Sequence, residues 1–133
     1  MSFNGSCLCG ALRYTVDQPL GPVTACHCTQ CRKISGHYVA AAPADWENVT
    51  VEGELKWFES SPQARRGFCP NCGSYLFWEE YDGKVYIMAG TLDGDTGLTM
   101  DGHIFYADKG DYYRAGQALP CWAQDRGDKE IEP

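Results

Sequence analysis

Between Ala11 and Val16 the chain alternates, with Leu12, Tyr14 and Val16 on one face and Ala11, Arg13 and Thr15 on the other. A period of two predicts a half-buried strand. His37 to Ala42 and His103 to Tyr106 predict further short strands. Val49 to Val51 and Leu55 to Phe58 flank Glu52-Gly53-Glu54 and predict a hairpin. Tyr75 to Tyr81 and Lys84 to Met88 flank Asp82-Gly83, and Asp-Gly between two β-rich runs is a strong signal for a tight hairpin turn. Thr29 to Ile34 predicts one helical turn, with Thr29 as its N-cap and Ser35-Gly36 as its end. Gln18 to Pro22 reads as a loop, Gly90 to Gly102 as turn-rich, and the charged stretch after Trp122 as a frayed tail. The sum is an all-β protein of two small sheets with one or two short helical turns.

Composition agrees with that pattern. The 133 residues are 44% hydrophobic and 13% aromatic, with 15 glycines and 7 prolines. This fits a single domain over residues 1–133, with a core at about 3–122 and a charged tail at 123–133. No apolar run reaches the ~18 residues of a membrane span. The opening Met1-Ser2-Phe3-Asn4-Gly5-Ser6-Cys7 lacks a basic segment followed by an apolar one, so no secretory signal is read there and a cytoplasmic protein is expected. The formal charge is −7 and no basic stripe is visible, which argues against a nucleic-acid binder.

A reducing compartment changes the meaning of the eight cysteines, which then point to metal rather than to disulfides. Seven fall into three groups: Cys7-x-Cys9, Cys26-x-Cys28-x-x-Cys31 and Cys69-x-x-Cys72. Phe68-Cys69-Pro70-Asn71-Cys72-Gly73 has the form of a zinc knuckle. Its tight turn brings two sulfurs to one metal, and Gly73 supplies the backbone angles the turn needs. Cys7 and Cys9 share a face of an extended segment, Gly10 lets the chain bend there, and together they supply the two further ligands the knuckle requires. A structural zinc on Cys7, Cys9, Cys69 and Cys72 is the expectation.

Cys26, Cys28 and Cys31 offer three thiolates and no evident fourth ligand. Structural zinc sites are closed, whereas catalytic ones keep an open position. Three readings stand: an open metal site, a site closed by Cys121, His27, His37 or His103, or a redox-sensitive or empty thiol cluster without a stable metal. His27 lies between two ligands and on an extended chain points away from the metal.

These residues also carry a resemblance. Gly5-Ser6-Cys7-Leu8-Cys9-Gly10-Ala11-Leu12-Arg13-Tyr14, Cys26-His27-Cys28-Thr29-Gln30-Cys31-Arg32-Lys33 and Arg66-Gly67-Phe68-Cys69-Pro70-Asn71-Cys72-Gly73-Ser74 resemble three ordered signatures. They are those of the glutathione-dependent formaldehyde-activating enzyme family, which includes centromere protein V-like domains. The resemblance implies a β-tent fold of packed antiparallel sheets, a structural zinc on the first four cysteines and a second, catalytic zinc on Cys26, Cys28 and Cys31. It implies addition of glutathione to formaldehyde, a carbon–sulfur lyase reaction in which a metal-held thiolate is the nucleophile. Where relatives often show a Lys followed by Pro-Trp, this chain reads Lys109-Gly110-Asp111-Tyr112-Tyr113, then Leu119-Pro120-Cys121-Trp122. That stretch is expected to shape the substrate pocket, so the departure bears on substrate rather than on fold.

Glutathione carries two carboxylates, and arginine binds a carboxylate with two prongs. Arg66, beside the knuckle, and Lys33, after the second group, are the candidate contacts; Arg65 and Arg32 are their neighbours. Trp46, Trp57, Phe58, Phe77, Trp78, Tyr86 and Phe105 read as core and sheet-face residues, and Cys121 as a free thiol. His103 reads as a structural histidine or a general base. The expected partners are a small-molecule thiol and aldehyde, with no nucleic acid and no membrane; oligomeric state is left open. The competing functions are a zinc-stabilised binding module without catalysis and a thiol redox or metal sensor.

Overall fold

A computed structural model describes residues 2–133. Ten strands and one α-helix follow in order: β1 (Phe3–Ser6), β2 (Arg13–Val16), β3 (Val23–Cys26), α1 (Thr29–Ser35), β4 (Val39–Asp45), β5 (Val49–Glu52), β6 (Lys56–Ser61), β7 (Ala64–Phe68), β8 (Tyr75–Glu80), β9 (Lys84–Met88) and β10 (Met100–Ile104). Short 3₁₀ turns cover Trp46–Asn48, Ala89–Thr91 and Tyr106–Asp108. The protein is all-β with few helical turns. The chain divides into two compact units, Met1–Gly21 with Ala42–Leu98, and Pro22–Ala41 with Thr99–Pro133.

In the first unit β2 pairs antiparallel with both β1 and β5. The alternation read from the sequence is realised: Leu12, Tyr14 and Val16 are all buried, while Ala11, Arg13 and Thr15 are exposed. Those three side chains join Leu76, Phe77, Val85, Ile87 and the sulfur-bearing Cys7 and Cys69 in one core cluster. β6, β7, β8 and β9 form an antiparallel ladder, and β8 meets β9 across the Asp82-Gly83 turn with Phe77 opposite Ile87 and Trp78 opposite Tyr86.

The second expected hairpin does not form. β5 pairs with β2 and β6 pairs with β7. Val49 and Val51 stand opposite the buried Val16 and Tyr14, so burial on the β2 face outweighs the local turn signal. β7 itself, Ala-Arg-Arg-Gly-Phe, has no strand-like apolar pattern. It is held because Trp57 of β6 packs over Gly67 and takes the Arg65 guanidinium 3.8 Å from its ring centre.

In the second unit β3 pairs antiparallel with β4 and parallel with β10, so not every pairing is antiparallel. α1 carries only seven residues and ends at Gly36 in the left-handed conformation. The stretch after Trp122 is not frayed. Ala123 N–H donates to the Lys129 carbonyl, and Arg126 bonds Asp101 on β10 and Thr24 on β3. Two basic-to-polar contacts dock the tail that its charge alone suggested would be loose. Among the described residues, no helix is long and apolar enough to cross a membrane.

Candidate metal and thiol sites

The first group lies wholly in the first unit. A turn after β1 is closed by Gly10 N–H to the Cys7 carbonyl and Cys7 N–H to the Leu12 carbonyl. The knuckle after β7 is closed by Gly73 N–H to the Cys69 carbonyl and Cys69 N–H to the Ser74 carbonyl. Gly10 and Gly73 sit at φ 81° and 79°, a region that disfavours a side chain. Leu8 N–H donates to Ser74 Oγ at 3.0 Å and ties the two turns together.

The sulfurs of Cys7, Cys9, Cys69 and Cys72 all lie within 4.8 Å of one another. Cys7 Sγ is 3.6 Å from Cys9 Sγ, which is 3.8 Å from Cys69 Sγ. Tetrahedral zinc with sulfur at ~2.3 Å sets neighbouring sulfurs ~3.8 Å apart. Donors also point at the sulfurs: Leu12 N–H at Cys7 (3.2 Å), Asn71 Nδ2 at Cys9 (3.3 Å) and Cys72 N–H at Cys69 (3.5 Å). The donor set and spacing therefore fit a zinc ion. The Ser74 hydroxyl and amide bring Cys72 down to about 5. Burial opposes ionisation of Cys7, yet the Leu12 amide and the adjacent thiols outweigh it and hold its pKa below the ordinary value. Burial together with N–H donors is the environment of thiolate ligands.

The second group lies wholly in the second unit. Cys26 ends β3, Cys28 caps α1 and Cys31 follows one turn later. The N-cap is Cys28, not Thr29: the Cys28 sulfur accepts from the Cys31 amide at 3.3 Å. Capping and a place in the sulfur group thus coincide on one residue. The three sulfurs lie within 4.8 Å of one another and, among the described residues, no other histidine, carboxylate or thiol completes the group. Hydrogen bonds with Cys28 and Cys31, and then burial, push Cys26 far up.

The candidate fourth ligands are engaged elsewhere. His27 is fully buried, with Nδ1 2.5 Å from Tyr113 Oη and Nε2 2.9 Å from His103 Nδ1. Neither ring nitrogen joins the sulfur group. His37 Nδ1 meets Tyr112 Oη at 2.6 Å. Cys121 is a buried thiol 4.0 Å from the Leu119 carbonyl. Burial, then the charges that His103, His37 and Lys109 carry when protonated, lower His27 to about 4. Burial also lowers His103 and raises Tyr113. The Tyr113–His27–His103 chain is therefore uncharged at neutral pH.

Of the proposed carboxylate contacts, Lys33 is exposed on α1, two residues past Cys31. Arg66 is 5% exposed on β7 and donates to Tyr75 Oη at 2.7 Å. Tyr112 and Tyr113, which the sequence marks only as part of the departure at 109–113, meet His37 and His27, and Lys109 Nζ lies 5.4 Å from the Tyr113 ring centre.

The family described as glutathione-dependent formaldehyde-activating enzyme matches residues 2–108, a span that holds both sulfur groups. The chain belongs to that family. Among relatives of the formaldehyde-activating family, an uncharacterized lyase of Schizosaccharomyces pombe is 31% identical over 134 residues, 97% of this chain and 96% of that one. A Halomonas elongata protein, provisionally named a glutathione-dependent formaldehyde-activating enzyme, is 30% identical over 109 residues, 71% of this chain and 68% of that one. The crystal structure of a Rhodobacter sphaeroides protein is similar with a TM-score of 0.60 at 25% identity, covering 71% of this chain and 91% of that one. Formaldehyde activation and a lyase reaction are thus what the family and its curated relatives carry in their names.

Proposed function

We propose that the protein is a carbon–sulfur lyase that adds a glutathione-like thiol to a small aldehyde such as formaldehyde, with the reaction centred on Cys26, Cys28 and Cys31. The observation that supports this reading is the three-sulfur group with no fourth ligand beside it among the described residues. Cys7, Cys9, Cys69 and Cys72 would hold a structural zinc, and the trio a second one. A zinc bound there supplies a lowered thiol pKa and a template for the incoming sulfur.

The overall change is balanced. The thiol sulfur forms a bond to the carbonyl carbon, the carbon–oxygen π bond opens, and the thiol proton ends on the new hydroxyl. Tyr113 Oη is a protonated group in the same unit, joined through His27 to the peptide between Cys26 and Cys28. Neutral His27 and His103 can pass the hydrogen-bond direction either way along Tyr113–His27–His103, so the hydroxyl can be oriented as donor or acceptor. Burial of His27 keeps that ring in one place. Lys33 remains a proposed carboxylate contact; for Arg66, a ligand would first have to displace Tyr75.

The test is the rate of S-hydroxymethylglutathione formation by zinc-loaded protein, with zinc per chain counted by native mass spectrometry. Two zincs and a rate above the spontaneous one, both reduced in Cys28→Ala, are expected. One zinc and no added rate would sink the lyase reading and leave a zinc-stabilised binding module.

A further inference from the structure

The second unit carries a surface cleft of about 480 Å³ lined by Lys109, Asp111, Tyr112, Tyr113 and Arg114. That volume falls within the ~300–1,000 Å³ of small-molecule sites. Its charge is at odds with the rest of the molecule. The chain is −7 overall, yet the lining has two cations against one anion. Ion pairs form at Arg65–Glu79, Lys84–Asp45 and Arg126–Asp101, and the cleft residues take part in none of them.

The cleft is also built rather than loose. Lys109 Nζ donates to the Gly110 carbonyl at 3.1 Å and the Tyr113 carbonyl at 2.9 Å. Two of its three protons go to those carbonyls, and the ammonium lies 5.4 Å from the Tyr113 ring centre and 5.7 Å from that of Tyr106, so it lines the cleft as a positioned positive charge. The two consecutive tyrosines are each anchored by a histidine, Tyr113 on His27 and Tyr112 on His37. Those histidines flank α1, the helix that Cys28 caps and whose first turn carries Cys31. The cleft wall is therefore fastened at both ends of the cysteine helix. With both hydroxyls engaged, the 62% exposed Tyr112 offers its ring to the cleft.

We propose that this cleft is the docking site for the non-reacting part of the thiol substrate and selects an amino-acid-type thiol with carboxylates and an ammonium group. Arg114 and Lys109 take the carboxylates, Asp111 takes the ammonium, and the Tyr112 ring packs against the peptide stem. The thiol end then reaches Cys26, Cys28 and Cys31. This rests on the lyase reading only for the identity of the reacting site. It moves substrate recognition from Arg66, which is buried, to a segment that is open and cationic.

The experiment measures binding of S-methylglutathione to the zinc-loaded full chain by calorimetry. Its sulfur is blocked, so recognition is read apart from thiol chemistry. An exposed charge pair of this kind changes affinity by roughly two- to fivefold. Arg114→Ala should weaken binding at least that much, and Arg114→Lys should recover part of it, with zinc content unchanged in both. No binding by the wild type, or equal affinity in wild type and Arg114→Ala, overturns the proposal. The two readings separate cleanly. Binding that depends on Arg114 without aldehyde turnover keeps the cleft and removes the lyase, whereas turnover indifferent to Arg114 keeps the lyase and removes the cleft.

Discussion

Replacing His27 by Phe probes the polar centre of the second unit. The ring of His27 is fully buried, packed at centroid distances of 4.6 Å from Tyr38 and 5.0 Å from Tyr106. A phenyl group fits that space closely, so the cavity cost is small. Two hydrogen bonds are lost. His103 is 7% exposed, and its orphaned Nδ1 costs about 1–3 kcal/mol. Tyr113 is half-buried and water can serve it, at about 0.5–1 kcal/mol. Easier burial of the apolar ring offsets part of this, leaving a net loss of about 2 kcal/mol near neutral pH.

Acid reverses the order. Burial holds His27 down at about 4 in the folded chain, against 6.5 for the free side chain. A folded pKa below the unfolded one means the unfolded chain binds the proton first. The stability held above pH 6.5 is therefore lost as pH falls toward 4. At 1.36 kcal/mol per unit, that loss is about 2–3 kcal/mol for wild type and absent in the variant. The Cys28 thiolate works against the shift, which places the lower figure within range. Urea unfolding of both proteins from pH 7.5 to 4.5 should give stability curves that converge and meet near pH 5. Metal loss in acid affects both, so the difference between them isolates the ring. Parallel curves would refute the reasoning.

Cys69→Ser should remove zinc from the first unit and unfold it, because ~10–16 kcal/mol of zinc binding is comparable to the ~5–15 kcal/mol stability of a whole domain. Cys31→Ser should lose zinc only from the second group; native mass spectrometry and near-UV circular dichroism separate the two, and equal effects would contradict separate roles. Gly67→Ala places a methyl group 2.9 Å from the Trp57 ring and should cost about 1–3 kcal/mol by displacing that ring from Arg65, read as a shifted urea midpoint. Arg66→Ala should lower stability by removing the Arg66–Tyr75 hydrogen bond, while unchanged thiol affinity would end its proposed role in carboxylate binding.

The sulfur groups were legible in the chain because their ligands are local pairs. A C-x-x-C turn, and two cysteines on one face of an extended segment, are dictated by nearest-neighbour backbone geometry. The β2 alternation and the Asp82-Gly83 hairpin were legible for the same reason. Only tertiary structure could choose the partner of β5, since the turn at Glu52-Gly53-Glu54 competes with burial of Val49 and Val51 opposite β2. It also set the direction of β10, the docking of Arg126 on Asp101 and the strand at Ala64–Phe68, all of which depend on surfaces far away in sequence. The anchoring of Tyr112 and Tyr113 on His37 and His27 spans 75 and 86 residues. No local periodicity encodes such a contact. It exists because β3 and β10 align side by side and place His27 against His103.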